Sequence, residues 1–372
     1  MNKILVVISV LFFSLITCQA QEGFPPFSWD HVPVSAHLGV GDGLTTEQSN
    51  FLADHFNFIT FTAGNTQNTV EPNIAMEARA VKQRNPNAKV LFYWSSDMWK
   101  KPWKLSNATF PVNGLLLDPK NDNKESSYYD LTRQDVRDWW VDVAVKAVGE
   151  YSCDGIFVDG AGTATIKWGR VANQEKVADL EQGLFTMLKD AHEKMGQDKI
   201  IIFNPLHGDD LKKGPVGVEY LSLADGAMMD DFDRSPDITQ QDKEYLFNEL
   251  VEMSNAAKDG NIIVFKAWPG FTWWSDPEMI KKPHEEIHRL ACERITFPLA
   301  CFLVAAQQNS YFCFTWGWQG EYGTYDWYPE FDKPLGEPSG DMVKEGWKLS
   351  REFKHASVWV NLETKEAKIN WK

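Results

Sequence analysis

Cys153-Asp-Gly-Ile-Phe-Val-Asp-Gly160 is the stretch whose reading decides the fold. Its apolar run, Ile156 to Val158, is bounded by Gly155 on one side and by Asp159 and Gly160 on the other. A short apolar run of this kind reads as a strand buried on both faces, which is the habit of parallel sheets covered by helices. Asp159 then stands at the C-terminal end of the strand, where parallel α/β folds hold their ligand chemistry. Capping of the next helix is the plainer role for such a residue. Folding does not demand a carboxylate there, however, so Asp159 is the first candidate for a catalytic group.

Similar runs recur on both sides of it. Residues 34–40, 58–62 and 89–94 precede the run at 155–158, and 199–203, 227–229, 261–265 and 311–315 follow it, making eight. Longer stretches with helical periodicity lie between them. Thr45-Thr-Glu-Gln48 has the capping-box pattern and predicts a helix to about residue 55. Thr132 is the expected cap of a helix over 133–148, with Gly149 as its stop. Further helices are expected near 172–195, 239–258 and 284–309. Eight strands alternating with helices predict an α/β fold, a closed (β/α)8 TIM barrel, over residues 30–335. An open doubly wound sheet is the rival, but Gly39-Val-Gly41-Asp-Gly43 lacks the spacing of a phosphate-binding turn. Residues 336–372 read as a C-terminal β extension. There Val358-Trp-Val-Asn361 and Ala367-Lys-Ile-Asn-Trp371 alternate apolar and polar, as a hairpin packed on the barrel would.

Residues 1–20 have the plan of a signal peptide, with Lys3, an apolar run over 4–16 and Cys18-Gln-Ala20 at the cleavage end. The run is short for a membrane span, and no later stretch is long enough. Export is therefore expected, either as a secreted or periplasmic chain or as a lipoprotein anchored at Cys18. The 52 acidic residues against 37 basic ones give a net charge of −15, which argues against nucleic acid and anionic membrane as partners. Cys153, Cys292, Cys301 and Cys313 would be free to pair after export. Buried thiols are the simpler reading of Cys153 and Cys313 beside their strands, and spacing does not decide the pairing. Asn107-Ala-Thr109 fits a glycosylation sequon.

The strand ends deliver a consistent set of groups. The third gives Tyr93-Trp94-Ser-Ser-Asp97-Met-Trp99, the fourth Asp159, and the fifth Asn204-Pro-Leu-His207. The sixth gives Asp230 and Asp231, the seventh Lys266-Ala-Trp268, and the eighth Trp316-Gly-Trp318. Two carboxylates facing each other across one rim are what cleavage of a glycosidic bond requires, one as nucleophile or base and one as acid. Asp230 is the preferred acid. Asp231 is the fallback, because adjacent strand residues face opposite ways, and Glu219 is a second fallback. Asp97, Asn204, His207 and Lys266 are expected to bind substrate hydroxyls, and Lys266 is also suited to keeping a neighbouring carboxylate ionised.

Sixteen tryptophans point the same way, since indole offers a flat apolar face and one donor to a sugar ring. Trp94, Trp99, Trp268, Trp316 and Trp318 are the expected sugar contacts, with Trp103, Trp168, Trp273 and Trp274 in the same loops. Core filling is the competing role, and it is the one expected of Trp139, Trp140, Trp347 and Trp359. Lys100, Lys101, Lys104, Lys167 and Arg170 form either a solvated basic face or contacts to uronate or sulfate groups.

His284-Glu-Glu-Ile-His288 matches the H-E-x-x-H zinc pattern. It sits just after Lys281-Lys-Pro283, at a helix start, with Arg294 where a third histidine would stand and Ala291 where a glycine would. The expectation is no metal and no cofactor, with a zinc hydrolase through His284 and His288 as the remote alternative.

Asp154-Gly-Ile-Phe-Val-Asp-Gly160, Ala224-Asp-Gly-Ala-Met-Met-Asp-Asp-Phe232 and the tail with Arg351-Glu-Phe353 and Val358-Trp-Val-Asn361 resemble bacterial barrel families described as hypothetical glycosyl hydrolases. The resemblance runs from about residue 30 to the end. More distantly, the chain resembles retaining α-galactosidases, dextranases and α-L-fucosidases, whose nucleophilic Asp follows strand four. The resemblance implies Asp159 as nucleophile and, through the first two of these, Asp230 as acid/base. The expectation is a secreted glycoside hydrolase that cleaves O-glycosidic bonds of an oligo- or polysaccharide through two carboxylates, with retention implied by the resemblance alone. A non-catalytic carbohydrate-binding barrel is the alternative.

Overall fold

The computed structural model describes residues 23–208, 214–234 and 242–372. The expected signal peptide at 1–20 and Cys18 lie outside the described residues. Eight strands pair in sequence order: β1 (Ala36–Gly39), β2 (Phe58–Thr62), β3 (Lys89–Ser95), β4 (Gly155–Asp159), β5 (Ile200–Asn204), β6 (Gly226–Phe232), β7 (Ile262–Ala267) and β8 (Ser310–Phe314). Every neighbouring pair is parallel. The last strand returns to the first. Ser35 N–H donates to Phe312 O at 2.9 Å, and Phe312 N–H donates to Pro33 O at 2.8 Å. The ring closes as a (β/α)8 barrel, and the open sheet is excluded.

Ile156, Phe157 and Val158 are fully or almost fully buried, as a strand covered on both faces must be. Gly155 serves close approach. A Cβ there would lie 1.9 Å from Ile200 O, so a side chain would push β5 out of register.

Around the ring lie α1 (Thr46–His55), α2 (Glu71–Arg84), α3 (Gln134–Gly149), α4 (Gln174–Met195), α5 (Lys243–Lys258), α6 (His284–Arg294) and α7 (Thr296–Ala305). The Thr45 capping box forms, with Gln48 N–H donating to Thr45 Oγ1 at 3.2 Å and Thr45 N–H to Gln48 Oε1 at 2.8 Å. Thr132 is not the cap of α3. Its hydroxyl donates to Asp130 Oδ1 at 2.6 Å, and Arg133 takes the cap position without a side-chain bond. The single helix expected over 284–309 is two, divided at Ile295. Pro298 has no N–H to return to Arg294 O, which weakens the chain of bonds at that point.

The tail is a four-stranded antiparallel sheet of β9 (Val343–Glu345), β10 (Lys348–Glu352), β11 (Ala356–Asn361) and β12 (Glu366–Trp371). The expected hairpin is its β11–β12 half. β10 shows no apolar alternation in the sequence because its inward residues are Leu349 and Arg351, both buried, and arginine does not read as apolar. Arg351 ties the sheet to the barrel by donating to Leu303 O at 3.3 Å and to Ala306 O.

Cys153, Cys301 and Cys313 are buried, Cys292 is half-buried, and all four are unpaired. No described helix is long and apolar enough to cross a membrane.

Candidate active site

Alternation along each strand decides which side chains reach the barrel mouth. The C-terminal strand ends enclose a cavity of about 450 Å³. Its walls include His37 from β1, Tyr93 from β3, Phe157 and Asp159 from β4, Asn204 from β5, and Met228 and Asp230 from β6. Trp318 and Gln319 come from the segment after β8, and Lys100 and Trp103 from the long loop after β3.

Asp159 is held from three sides. Lys100 Nζ lies 3.0 Å from its Oδ2, Tyr93 Oη donates to the same oxygen, and Asn204 Nδ2 donates to Oδ1 at 3.0 Å. Burial pushes the carboxyl upward in pKa, but the Lys100 charge and the Tyr93 and Asn204 hydrogen bonds outweigh it and hold Asp159 well below the usual carboxylate range. Burial and the Asp159 charge push the Tyr93 hydroxyl well above its ordinary value, so it remains a donor. Lys100 also donates to Tyr93 Oη. Its backbone is fixed in turn, since Asn107 Nδ2 donates to Lys100 O at 2.9 Å. The sequon asparagine is thus engaged inside the loop.

The same Asn204 amide reaches a second acid. Asn204 Nδ2 lies 3.2 Å from Asp230 Oδ2, so one amide group bridges the two carboxylates. Trp268 Nε1 donates to Asp230 O at 2.7 Å and fixes the backbone behind that acid. Nothing is described of the Asp231 side chain.

Gly160 has a physical reason. Its φ is +89°, and a Cβ there would sit 2.4 Å from Asp97 Oδ1. Asp97 packs beneath the turn after Asp159, where it accepts from Ser95 Oγ at 3.1 Å and meets Lys167 Nζ at 2.8 Å. It is almost fully buried and does not line the cavity.

Of the residues expected at the site, Asp159, Asp230, Asn204 and Trp318 meet in the cavity, joined by Trp103 and Lys100 from the loop after β3, and the others stand elsewhere. Trp94 points outward, buried against Trp103 and Trp139 at ring distances of 5.7 and 5.4 Å. Trp99 is half-buried beside the antiparallel pair Leu115–Asp118 and Lys124–Tyr129 in that loop, its backbone N–H donating to Ser127 O at 2.8 Å. His207 Nδ1 turns to the buried Glu249 at 3.3 Å. Glu219 is exposed in the short helix before β6. Lys266 is buried and donates to Ala267 O at 2.8 Å and Thr315 O at 2.7 Å. Trp268 and Trp316 are buried behind the wall.

Both histidines of the H-E-x-x-H pattern turn to one carboxylate. His284 Nε2 lies 2.8 Å from Asp326 Oδ1, and His288 Nδ1 lies 3.5 Å from Asp326 Oδ2. Among the described residues no group of three or more His, Cys, Asp or Glu is arranged to hold a metal ion.

The sequence does not mark His37 or Tyr93 as site residues, and it offers Lys100 as a substrate contact rather than as the partner of Asp159. Burial pushes the His37 imidazole down to about 3, with Asp159 raising it and Lys266 lowering it further. It is therefore neutral at ordinary pH, packed edge-on against Phe157 at 4.7 Å. The register with β4 fixes the parity of β3: Tyr93 pairs with Phe157 and Ser95 with Asp159, so Tyr93 rather than Trp94 shares the inward face.

A model of the family described as hypothetical glycosyl hydrolase family 15 matches residues 82–357. No curated protein matches the chain. An α-amylase from Anoxybacillus is 12% identical, with 91% of this chain and 88% of that chain covered and a TM-score of 0.50. A maltogenic α-amylase from Thermotoga neapolitana is 10% identical, with 88% and 85% covered and a TM-score of 0.49. An α-amylase from Geobacillus thermoleovorans is 9% identical, with 89% and 86% covered and a TM-score of 0.45. The likeness to the Anoxybacillus enzyme, at that identity, is one of fold.

Proposed function

The chain belongs to hypothetical glycosyl hydrolase family 15 and is a glycoside hydrolase, and on that premise we propose that Asp159 and Asp230 cleave O-glycosidic bonds with retention. The shared Asn204 amide is the observation that carries the reading. The two bridged oxygens cannot be farther apart than its two hydrogen bonds, of 3.0 and 3.2 Å, laid end to end. One amide can bridge two carboxyls at the roughly 5–5.5 Å spacing of retaining enzymes more readily than across the roughly 6.5–9.5 Å of inverting ones, which supports retention.

In this mechanism Asp159 attacks the anomeric carbon as Asp230 gives its proton to the departing glycosidic oxygen. Asp230 then takes a proton from water, which attacks the same carbon and releases Asp159. The groups around Asp159 suit both steps. They keep it ionised for attack, and a weakly basic carboxylate is a good leaving group when the intermediate breaks down. Tyr93 and Lys100 fix its orientation, and neutral His37 offers a hydrogen bond to a sugar hydroxyl. Trp318 supplies the stacking face.

The substrate in this proposal is an oligo- or polysaccharide, met outside the cytoplasm. The N-terminal pattern at residues 1–20 supports export, and cell fractionation with and without that segment tests it.

Reducing-sugar release from a glycan panel by the wild type, Asp159→Asn and Asp230→Asn tests the mechanism. The account expects turnover by the wild type and a loss of about 10³-fold or more in each variant. Binding of a glycan without turnover by the wild type supports the carbohydrate-binding alternative. Activity that survives Asp159→Asn and vanishes with a chelator moves the chemistry to His284 and His288.

A further inference from the structure

We infer that Trp274 forms an outer sugar subsite on the leaving-group side of Asp230, so that the substrate extends beyond the cavity as an oligosaccharide chain. The inference rests on the two-carboxylate reading above. Trp274 is the sole aromatic among the large apolar side chains that stand exposed in the described residues, with 41% of its surface open. It is not loosely held. Its ring meets Trp268 edge-on at 5.2 Å and Trp273 edge-on at 5.7 Å, and Trp273 stacks on Tyr322 at 5.9 Å. An indole braced in this way keeps its orientation while much of its surface stays open to solvent, which suits stacking on a sugar ring.

Its place follows from Trp268. That buried ring touches Trp318 of the cavity wall edge-on at 5.4 Å, and its N–H holds the Asp230 carbonyl at 2.7 Å. Trp274 is therefore one ring removed from both the wall and the proposed acid. Arg234, four residues beyond Asp230, carries its guanidinium over the Trp274 ring at 5.6 Å. Indole and guanidinium together match a pyranose, whose C–H groups meet the flat face and whose hydroxyls accept from the guanidinium. The general acid stands beside the departing oxygen. A sugar on Trp274 accordingly belongs to the departing part of the chain, beyond the first ring released.

The test compares leaving groups in the full chain. Substrates are p-nitrophenyl α- and β-glycosides of glucose, galactose and fucose, and di- to hexasaccharides of whichever sugar is cleaved. A nitrophenyl group fills only the place of the first ring released. In the wild type, kcat/KM rises with chain length, and Trp274→Ala lowers it about tenfold more on the longest oligosaccharide than on the aryl glycoside. Trp274→Tyr, which keeps a flat ring, restores most of that difference. Equal losses on both substrate types, or a wild type indifferent to chain length, overturn the subsite and leave the hydrolase reading intact. A wild type that cleaves no substrate overturns the hydrolase reading, and the subsite with it.

Discussion

Lys100 and Lys266 both stand near the mouth of the barrel, and their amines meet opposite surroundings. Lys100 lines the cavity, where its Nζ lies 3.0 Å from Asp159 Oδ2. Lys266 is fully buried, its Nζ held by the carbonyls of Ala267 and Thr315 and seated 3.3 Å from the centre of the Trp268 ring. The first lysine sets the electrostatics of a carboxylate. The second joins β7 to the end of β8 and supports the indoles behind the wall. A lysine at a strand end is thus assigned by what it faces.

The carboxylate side of this contrast is the more sensitive. Asp230→Asn should lower hydrolysis of oligosaccharides by about 10³-fold, and hydrolysis of p-nitrophenyl glycosides less, because that leaving group needs little help from an acid. Equal losses on both substrates would deny Asp230 the acid role.

Lys100→Met should lower kcat/KM by about 10²-fold, with a distinctive pH signature. With Lys100 present, Asp159 is held below the usual carboxylate range. Without that charge, burial acts against fewer opposing groups and raises it. The nucleophile must be ionised, so the acid limb of the kcat/KM profile should move to higher pH. A limb that stays in place would make Lys100 a merely structural residue.

Lys266→Met should behave differently. The account expects a loss of about 2 kcal/mol of stability in thermal melts, from two charge-assisted bonds to carbonyls, with the acid limb where the wild type has it. A shifted limb would erase the contrast between the lysines.

The smallest effect near pH 7 is expected at His37. Its folded pKa of about 3 lies below the ordinary 6.5, so the unfolded chain takes up a proton that the folded one refuses. The stability is fully present above pH 6.5 and is lost as the pH falls toward 3. His37→Gln should flatten that part of the Tm profile.

The barrel was legible because its eight strands are short apolar runs, several of them ending at Gly, Asp or Asn. Asp159 and Asn204 end such runs, and they are the residues that meet in the cavity. The run from Val90 to Trp94 carries no mark of which parity faces inward, and only the register with β4 puts Tyr93, not Trp94, beside Phe157. Lys100 and Trp103 come from a loop without periodicity, and only folding brings them over the mouth. Asp97 lies close to a strand end in sequence but turns under Gly160, a contact that no local pattern announces. Two of the four tail strands were hidden because β9 is exposed throughout and β10 buries an arginine.

Chemical rescue tests the roles of the two carboxylates most directly. Asp159→Ala and Asp230→Ala are assayed on a p-nitrophenyl glycoside that the wild type cleaves, with and without azide. The account predicts that Asp159→Ala is inactive alone and recovers with azide, which enters from the vacated side and gives a glycosyl azide of inverted anomeric configuration. Asp230→Ala should give the retained glycosyl azide, because azide there attacks the intermediate already formed on Asp159. Near wild-type hydrolysis by Asp159→Ala without azide would contradict the account.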